Sequence, residues 1–196
     1  MQPSGTVTFV FTDIEGSTRP LERLGENGYR EALAVHRARI RTAFAAHDGY
    51  EVDNEGDSFF YAFQSATAAV SAVREAMADL EAAQTRVRVG IHSGEAVVGE
   101  IGSQTRKSYT AIGDTVNIAA RLQDLCKSVA TDLLVGRGTA SLSRRHRLRV
   151  LGRVTLRGRT QPEAVYVMAG AALHSQTATA PERPLSLDVA EQIVDS

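Results

Sequence analysis

Residues 6–18, TVTFVFTDIEGST, form the stretch that most constrains the fold. Val7, Phe9 and Phe11 alternate with a second, mostly threonine set, which is the period of a β-strand with one apolar face. Asp13 follows the alternating run and leads into a short segment of small, polar residues. The stretch therefore predicts a strand that enters a tight turn with an acidic residue at its end.

The composition is that of one domain that folds in water. The chain has 196 residues, of which 43% are hydrophobic and 23% charged, so disordered, collagen-like and membrane-embedded classes are excluded. Lys and Arg number 22 against 23 Asp and Glu, and the net charge of -1 provides no basic field that would gather nucleic acid. We therefore expect phosphate to be bound by local groups, and no nucleic-acid partner.

The cysteine content and the N-terminus favour a cytoplasmic location. Cys126 is the single cysteine, so it cannot close a disulfide within the chain and is compatible with a reducing compartment. Residues 1–12 lack a basic segment before their apolar run, and no stretch approaches the roughly 18 apolar residues that span a bilayer. We expect a cytoplasmic protein with no membrane partner.

Periodicity assigns the rest of the chain to helices and short strands. Apolar positions at three- and four-residue spacing predict helices over 27–47, 65–84 and 114–125. Extended runs predict further strands over 50–55, 58–63, 87–92, 95–101, 132–135, 147–156 and 164–168. Ser93-Gly94 is interpreted as the turn that ends one of these strands, and Gly56-Asp57 as the tip of a hairpin. This order predicts an α+β fold with helices packed on a mostly antiparallel sheet.

After residue 171 the composition shifts to Ser, Thr, Ala and Pro, as in HSQTATAPERP over 174–184. Such a segment cannot bury much apolar surface. We expect a folded domain over residues 5–171 and a flexible tail over 172–196.

Two acidic residues mark the first candidate site. Backbone N–H groups in the turn after Asp13 can cradle phosphate oxygens, while its carboxylate can hold a divalent cation that the phosphates also bind. Asp57 at the hairpin tip can approach Asp13 if the hairpin neighbours the first strand. Two close carboxylates repel unless cations lie between them, and two metals about 4 Å apart are a recurring device for reactions at phosphorus. The alternatives are a turn or helix cap for Asp13 and ordinary hairpin chemistry for Asp57.

Asn117 and Arg121 form the second candidate site. They lie four residues apart on one face of the helix predicted over 114–125, while Ile118 and Leu122 occupy another. An amide suits a sugar oxygen, and a guanidinium suits the charge that builds on phosphoryl oxygens during displacement. The alternative is a solvated helix face.

These segments together resemble the catalytic domain of the class III nucleotidyl cyclases, over roughly residues 5–169. FTDIEGST, the Gly56-Asp57 hairpin, GIHSGE (90–95), GDTVNIAARL (113–122) and LRGR (156–159) occur in the order of that family. The resemblance implies a ferredoxin-like cyclase fold. It also implies that the ribose 3′-hydroxyl of a nucleoside triphosphate attacks its own α-phosphorus, with pyrophosphate as the leaving group.

The same resemblance implies a role for each matching residue. Asp13 and Asp57, with the Ile14 carbonyl, would hold two divalent cations, Mg²⁺ or Mn²⁺. Asn117 would orient the ribose, and Arg121 would stabilise the transition state. The groups expected to bind phosphate are the amides of Glu15, Gly16, Ser17 and Thr18, the Arg157 side chain, where the family more often has Lys, and Arg106.

In this family the site forms between two catalytic domains, with the metals on one and the helix-borne Asn and Arg on the other. A chain with one set of these residues would therefore act as a head-to-tail homodimer with two identical sites.

Two positions bear on which nucleotide base the site selects. Asp53 stands where adenine-selective members usually carry Lys, and Thr110 stands at the second base-reading position, where Thr occurs in a bacterial subgroup. An ionised Asp53 only accepts hydrogen bonds, which suits the N1–H and N2–H₂ donors of guanine better than adenine N1. ATP is the expected substrate by family habit, and GTP or a pyrimidine nucleotide is the alternative. A non-catalytic nucleotide-binding or dimerisation module is the further alternative, although the complete set of carboxylates, Asn and Arg argues against it.

Three other features are interpreted as structural. His92 is expected to end a strand with its ring hydrogen-bonded, and Asp114 to cap the helix that follows it. The basic run 144–147 is expected to be a solvated turn. No Walker loop or Rossmann glycine pattern is present, which disfavours a kinase or a dehydrogenase.

Overall fold

The computed structural model describes residues 2–16, 18–103 and 106–170, without the side chains of residues 18–24, 100–103 and 106–110. Ser17 and the tail predicted over 172–196 lie outside the described residues. The elements in chain order are β1 (Gly5–Ile14), α1 (Thr18–Ala45), β2 (Tyr50–Glu55), β3 (Ser58–Phe63), α2 (Ala66–Ala82), β4 (Val87–Ser103), β5 (Arg106–Ile112), α3 (Asp114–Ser128), β6 (Leu133–Gly136), α4 (Arg137–Leu142), β7 (Leu148–Val154) and β8 (Glu163–Met168).

The described strands form one mixed sheet in the order β2-β3-β1-β4-β6-β8-β7, with β5 paired to β4 off this path. All neighbours are antiparallel except β4 and β6, which are parallel. The first four strands with α1 and α2 follow the β-α-β-β-α-β order of a ferredoxin-like unit. The predicted α+β class with a mostly antiparallel sheet is confirmed.

The alternation in β1 places its two faces against different layers. Val10 belongs to the larger core, which packs residues of α1 and α2 against the sheet. Val7 and Phe9 point the other way and pack with Ala119 of α3. Because both faces are covered, β1 is the central strand around which the helices are arranged.

The predicted hairpin is confirmed at its stated bounds, with Glu55 paired to Ser58 across the turn. The helix predicted over 27–47 is confirmed in its apolar part, but α1 begins earlier, at Thr18. Gly25, with φ 68° and ψ 176°, interrupts the helical conformation. The apolar spacing begins after this break, which explains why periodicity indicated a later start.

The turn predicted at Ser93-Gly94 is wrong. β4 runs unbroken from Val87 to Ser103, pairing first with β1 and then with β5. A Cβ on Gly94 would lie 2.7 Å from Oγ1 of Thr115, and that hydroxyl donates to the Glu95 carbonyl at 2.7 Å. The glycine therefore gives the start of α3 room to contact the strand, and it does not turn the chain.

Two elements were not predicted, namely β5 and the short helix α4. The strands expected over 132–135, 147–156 and 164–168 correspond to β6, β7 and β8, and the last two pair antiparallel. Among the helices of the described residues, none carries an apolar stretch long enough to cross a bilayer.

Gly90 is the closest approach between α3 and the sheet. A Cβ at this position would lie 2.2 Å from the Ala119 carbonyl oxygen and 2.4 Å from the Gln123 nitrogen, both on the helix backbone. Any side chain at position 90 must therefore push α3 outward, and with it the face that carries Asn117 and Arg121.

We expect Gly90→Ala to lower the free energy of unfolding by about 2–3 kcal/mol, because overpacking against a backbone has no flexible side chain to absorb it. Gly99→Ala on the same strand is the matched control, since a Cβ there meets nothing within 4 Å. Urea unfolding of the two variants measures the difference, and equal effects would contradict the close packing of α3.

Candidate active site

Strand pairing brings Asp13 and the hairpin tip together. β1 pairs with β3 so that Thr12 lies opposite Phe59, and Asp13 and Ser58 are the next residues at that end. The Ser58 hydroxyl donates to Oδ1 of Asp13 at 2.8 Å. Asp57 precedes Ser58 at the tip, where Gly56 adopts a positive φ of 59°. The two carboxylates that the sequence singled out therefore lie at the same corner of the sheet.

The electrostatics of this corner favour a cation. Burial raises the pKa of Asp13 above its usual value, and the charges of Asp57 and Asp124 raise it further, while the Ser58 hydrogen bond and Arg88 oppose the rise. Oδ2 of Asp57 is buried and accepts no hydrogen bond from the described atoms. Ser58 and Arg88 compensate the charge of Asp13 only in part, and a divalent cation would favour ionisation of both carboxyls.

The described residues nonetheless supply only part of the coordination of a metal ion. In the described part of the chain, no three His, Cys, Asp or Glu side chains are grouped so as to hold a metal ion. Asp13 and Asp57 offer carboxylate oxygens, and Ile14 follows Asp13 as the last residue of β1. Two carboxylates and a nearby carbonyl suit Mg²⁺ or Mn²⁺, which commonly complete their coordination with substrate phosphates and water. The residues present therefore fit the expected cations.

The structure corrects the expected role of the Glu15 amide. Its N–H donates to the Arg86 carbonyl at 2.9 Å, so it is not free to bind phosphate. The Glu15 carboxylate is held by Arg88 at 2.8 Å and by Arg86 at 3.1 Å. Gly16 follows with φ 68° and is exposed, and α1 begins at Thr18, whose side chain is not among those described. Of the four amides expected to bind phosphate, the Glu15 amide is therefore excluded.

The second candidate group lies on α3 and the segment after β7. Asn117 is exposed and Arg121 half-buried on one face of α3, while Ile118 and Leu122 pack in the core with Leu156. Leu156 anchors the LRGR segment, so Gly158 lies beside Arg121: a Cβ on Gly158 would be 3.6 Å from the Nη2 atom of Arg121. Arg157 is exposed next to it. The fold therefore gathers the Asn and Arg of the helix with the late arginine.

Asp114 does not cap α3 as predicted. Gly113 occupies the capping position without a side-chain hydrogen bond, and the Asp114 carboxylate forms an ion pair with Arg159 instead. These two residues, with Gly158, Thr160 and Gln161, line an open cavity of about 310 Å³. The ion pair ties the LRGR segment to the start of α3.

The prediction for His92 is also wrong. The residue lies inside β4, and its Nδ1 atom is buried without a hydrogen-bond partner among the described atoms. Burial lowers the pKa of His92 to about 4, and the Arg159 charge adds to this effect while Asp114 opposes it. The ring is therefore a neutral packing group, closely covered by Gly136, where a Cβ would lie 2.1 Å from Nδ1. Of the basic run, Arg144, Arg145 and Arg147 are exposed as expected, while His146 bonds to Ser143 and Ser71.

Within one chain, the start of α3 and the LRGR segment lie away from Asp13, while the middle of α3 crosses β4 at Gly90, opposite Phe11. Thr115 bonds to the carbonyl of Glu95, whose β1 partner is Thr6. Thr6 lies seven residues from Asp13 along the strand. At about 3.3 Å per residue, the start of α3 is roughly 20 Å from Asp13. The LRGR segment joins β7 to β8, and β4 and β6 lie between β8 and β1, which separates it from Asp13 by roughly 15 Å at about 4.8 Å per strand spacing.

The base-selecting candidates also lie apart. Asp53 is exposed on the edge strand β2, beside a register shift. Its Oδ1 atom accepts a hydrogen bond from the backbone N–H of Asn54 at 2.8 Å. Thr110 and Arg106 lie on β5, with Thr110 opposite Gly99, and their side chains are outside the described set.

Sequence reasoning missed the residues that surround the acidic pair. Arg88 lies opposite Asp13 on β4, and Tyr29, His36 and Arg37 of α1 approach the hairpin tip. A signal was present for two of them, because Tyr29 and His36 are polar residues seven positions apart on the apolar stripe of α1. Arg37 and Arg88 carry no such mark, since arginine on a helix or strand surface is common.

Comparison with known proteins identifies the family of this chain. The family model described as "Adenylate and Guanylate cyclase catalytic domain" matches residues 1–170. "Adenylate cyclase 1" of Rhizobium meliloti is 32% identical over 182 residues, covering 84% of this chain and 27% of the relative. "Adenylate cyclase 2" of the same organism is 30% identical over 194 residues, covering 88% of this chain and 52% of the relative.

The fold has close counterparts among solved structures. The adenylyl cyclase CyaB from P. aeruginosa superposes with a TM-score of 0.75 at 24% identity, covering 93% of this chain and 97% of that chain. This chain spans about a quarter to a half of the length of the two Rhizobium relatives. From the family match and the fold together, this chain belongs to the adenylate and guanylate cyclase catalytic domain family.

Proposed function

We propose that this chain is a nucleotidyl cyclase that converts a nucleoside triphosphate, with ATP the leading substrate, to the 3′,5′-cyclic monophosphate and pyrophosphate. The observation that carries the proposal is the pairing of Asp13 and Asp57 at one corner of the sheet, with a buried Asp57 oxygen that has no partner among the described atoms. Such an arrangement costs electrostatic energy without a cation and has a physical reason with one.

Asp13, Asp57 and the Ile14 carbonyl are the proposed ligands of two Mg²⁺ or Mn²⁺ ions. When bound, these ions would polarise the α-phosphate and favour ionisation of the ribose hydroxyl. The Ser58 hydroxyl holds one oxygen of Asp13, which leaves the other free to face the ligand. Burial raises the pKa of Asp13, and the Arg88 charge opposes part of this rise.

The remaining residues act on the nucleotide. The bond from the ribose 3′-oxygen to the α-phosphorus forms as the bond from that phosphorus to the bridging β-oxygen breaks, and the hydroxyl proton passes to solvent. Asn117 would orient the ribose, and Arg121 would stabilise the charge on the phosphoryl oxygens. Gly16, Ser17, Thr18, Arg157 and Arg106 are the proposed contacts of the departing pyrophosphate. The chain contributes positioning and charge, with no protein nucleophile.

We propose that the active form is a head-to-tail homodimer. In one chain the LRGR segment lies about three strand spacings from β1, and an isologous pair would join the acidic corner of one copy to the Asn117 and Arg121 face of the other. The chain also presents apolar surface for such a partner. Phe11 and Phe60 stack at 4.4 Å between ring centroids on a partly buried sheet face, and Val97 and Ile112, paired across β4 and β5, are 76% and 58% exposed.

Two observations bear on the base preference, and they favour different bases. The names of the two Rhizobium relatives favour ATP. Asp53 favours GTP, because its carboxylate can accept from guanine but repels adenine N1. Its present hydrogen bond to the Asn54 amide leaves the second carboxylate oxygen available. Cytoplasmic nucleotide pools would supply either substrate, in keeping with the predicted location.

The direct test is to incubate the pure chain with Mn²⁺ and each of the four ribonucleoside triphosphates and to identify cyclic products by mass. We expect one purine nucleotide to be cyclised, and Asp13→Asn to reduce the rate by at least about 100-fold, because an amide cannot supply the ligand charge. Nucleotide binding without any cyclic product would favour the non-catalytic module instead.

The same variant should stabilise the metal-free protein. The folded pKa of Asp13 lies above that of the unfolded chain, so its favourable contribution is present at low pH and is lost as the pH rises through the folded pKa. Asp13→Asn removes this loss, and we expect a gain at pH 7 of a few tenths to about 1 kcal/mol, since solvent screens a half-exposed carboxyl. Urea unfolding in EDTA at acidic and neutral pH measures it, and a gain confined to acidic pH would contradict the predicted sign.

The shared site predicts complementation between inactive variants. Asp57→Ala lacks the metal half and Arg121→Ala lacks the transition-state half, so a mixed dimer retains one intact site. Random exchange makes half of the dimers mixed, and the mixture should recover about a quarter of the wild-type rate. Size-exclusion chromatography with differently tagged chains confirms mixing. Mixed dimers without recovered activity would refute the head-to-tail arrangement.

Asp53→Lys should shift the preference toward ATP. An ammonium at this position donates to adenine N1 and repels the guanine N1–H, and one such contact contributes about 1–3 kcal/mol to discrimination, or roughly 5- to 150-fold in kcat/KM. Asp53→Asn is the control, because it removes the charge and keeps the size. An unchanged ratio of kcat/KM for the two purine nucleotides would remove Asp53 from base reading.

A further inference from the structure

The hairpin tip that carries Asp57 is held from outside the sheet by α1. The guanidinium of Arg37 donates two hydrogen bonds to the Gly56 carbonyl, from Nε at 3.2 Å and from Nη2 at 2.5 Å. Gly56 directly precedes Asp57 and has a φ of 59°, in the region that glycine adopts without strain. The two bonds therefore fix the peptide from which the Asp57 backbone continues.

The side-chain hydrogen bonds of Asn54 and Ser58 are made to residues other than Gly56 and Asp57. Asn54 donates from its side-chain amide to the Ser58 carbonyl at 2.8 Å, and Ser58 binds Asp13. These bonds secure the base of the turn. The Gly56 carbonyl, at the outermost point, is bound by Arg37 across 19 positions of the chain. The position of the tip thus depends on a tertiary contact.

The neighbouring residues of α1 show that the helix and the tip are packed together. His36 is 3% exposed, and its ring lies 6.2 Å from that of Phe59, the second residue after Asp57. Burial raises the pKa of Tyr29, two turns before His36 on α1, and the charges of Asp57 and Asp13 raise it further. Arg37 therefore belongs to a face of α1 that is directed at the acidic corner.

A restraint on the tip has a physical purpose. Asp13 and Asp57 repel each other when no cation is bound, and a glycine-containing tip of two residues can yield to that force. A guanidinium that grips the tip opposes the displacement and keeps the Asp57 oxygens where a cation needs them. Residues that orient metal ligands from outside the coordination shell commonly have a large effect on metal affinity.

We propose that Arg37 is a positioning residue for the metal site, which holds Asp57 at the distance from Asp13 that two cations require. This inference rests on the proposed cyclase function, because it assumes that the acidic pair binds metal. Arg37 touches neither the substrate nor the metal, and it acts through the Gly56 peptide.

The test compares Arg37→Ala with Arg39→Ala. Arg39 lies on the same helix and, like Arg37, is partly buried. Arg39→Ala removes an ion pair with Asp79 at 2.6 Å, which lies away from the hairpin tip. Binding of Mn²⁺ alone is followed through the electron paramagnetic resonance signal of the free ion, and the Mn²⁺ dependence of cyclisation is measured in parallel. Arg37→Lys, which keeps the charge and a shorter donor, provides a second variant that preserves the surface of the fold.

We expect Arg37→Ala to weaken Mn²⁺ binding about tenfold and to raise the Mn²⁺ concentration for half-maximal rate by a similar factor. The rate at saturating Mn²⁺ should change by no more than about twofold, because the bound state restores the geometry. Arg37→Lys should fall between Arg37→Ala and the wild type, and Arg39→Ala should match the wild type. Equal Mn²⁺ affinities for Arg37→Ala and Arg39→Ala would overturn the proposal.

Asp57→Ala in the same titration separates the two hypotheses. If it abolishes Mn²⁺ binding while Arg37→Ala leaves it unchanged, the metal site stands and the role of Arg37 is refuted. If Asp57→Ala binds Mn²⁺ as well as the wild type, or if the wild type takes up none, the metal assignment itself fails and the role of Arg37 fails with it.

Discussion

The proposed site depends on the placement of two carboxylates, Asp13 and Asp57, at one partly buried corner of the sheet. Pairing of β1 with β3 brings the two carboxylates to one corner. Burial there raises the pKa of Asp13, because it disfavours the charged form. The surrounding residues respond to this constraint. Ser58 binds one Asp13 oxygen, Arg88 supplies partial compensation, and Arg37 grips the peptide before Asp57. The proposed cations would relieve the repulsion between the two carboxylates, which gives this arrangement a functional reason.

A second constraint, the contact of α3 with the sheet, determines the other half of the proposed site. The absence of a side chain at Gly90 lets the helix backbone rest on β4, and Thr115 bonds to the strand near Gly94. The helix then presents Asn117 and Arg121 away from its packed face, beside the LRGR segment that Leu156 anchors. The LRGR segment beside this group lies about three strand spacings, roughly 15 Å, from β1 and its acidic corner. The apolar surface around Phe11 and Phe60, together with the exposed pair of Val97 and Ile112, is where a second copy is proposed to complete them.

Turns predicted from glycine were correct where the glycine turns the chain and wrong where it makes room for a neighbouring side chain. The hairpin was predicted at its observed bounds because Gly56-Asp57 lies between two clear strands and performs the turn that such a pair indicates. The same rule failed at Ser93-Gly94, where the glycine makes room for Thr115 while the strand continues. The prediction that Asp114 caps α3 failed for a related reason, since Arg159, distant in sequence, takes its carboxylate. His92 was expected to have a hydrogen-bonded ring, but close cover by Gly136 leaves Nδ1 buried and the imidazole neutral.

The sequence by itself determined the α+β class, the position of Asp13 at a strand end, the hairpin with Asp57 at its tip and the helix face with Asn117 and Arg121. These features follow from local periodicity and turn chemistry, which depend on residues a few positions apart. The tertiary structure alone decided that the two carboxylates lie at one corner of the sheet, that the Glu15 N–H donates to the Arg86 carbonyl, that Arg37 donates to the Gly56 carbonyl, and that Gly158 lies beside Arg121. Each of these depends on contacts between segments far apart in the chain. Their energies are set by burial, charge and the space left by absent side chains, which a linear pattern does not contain.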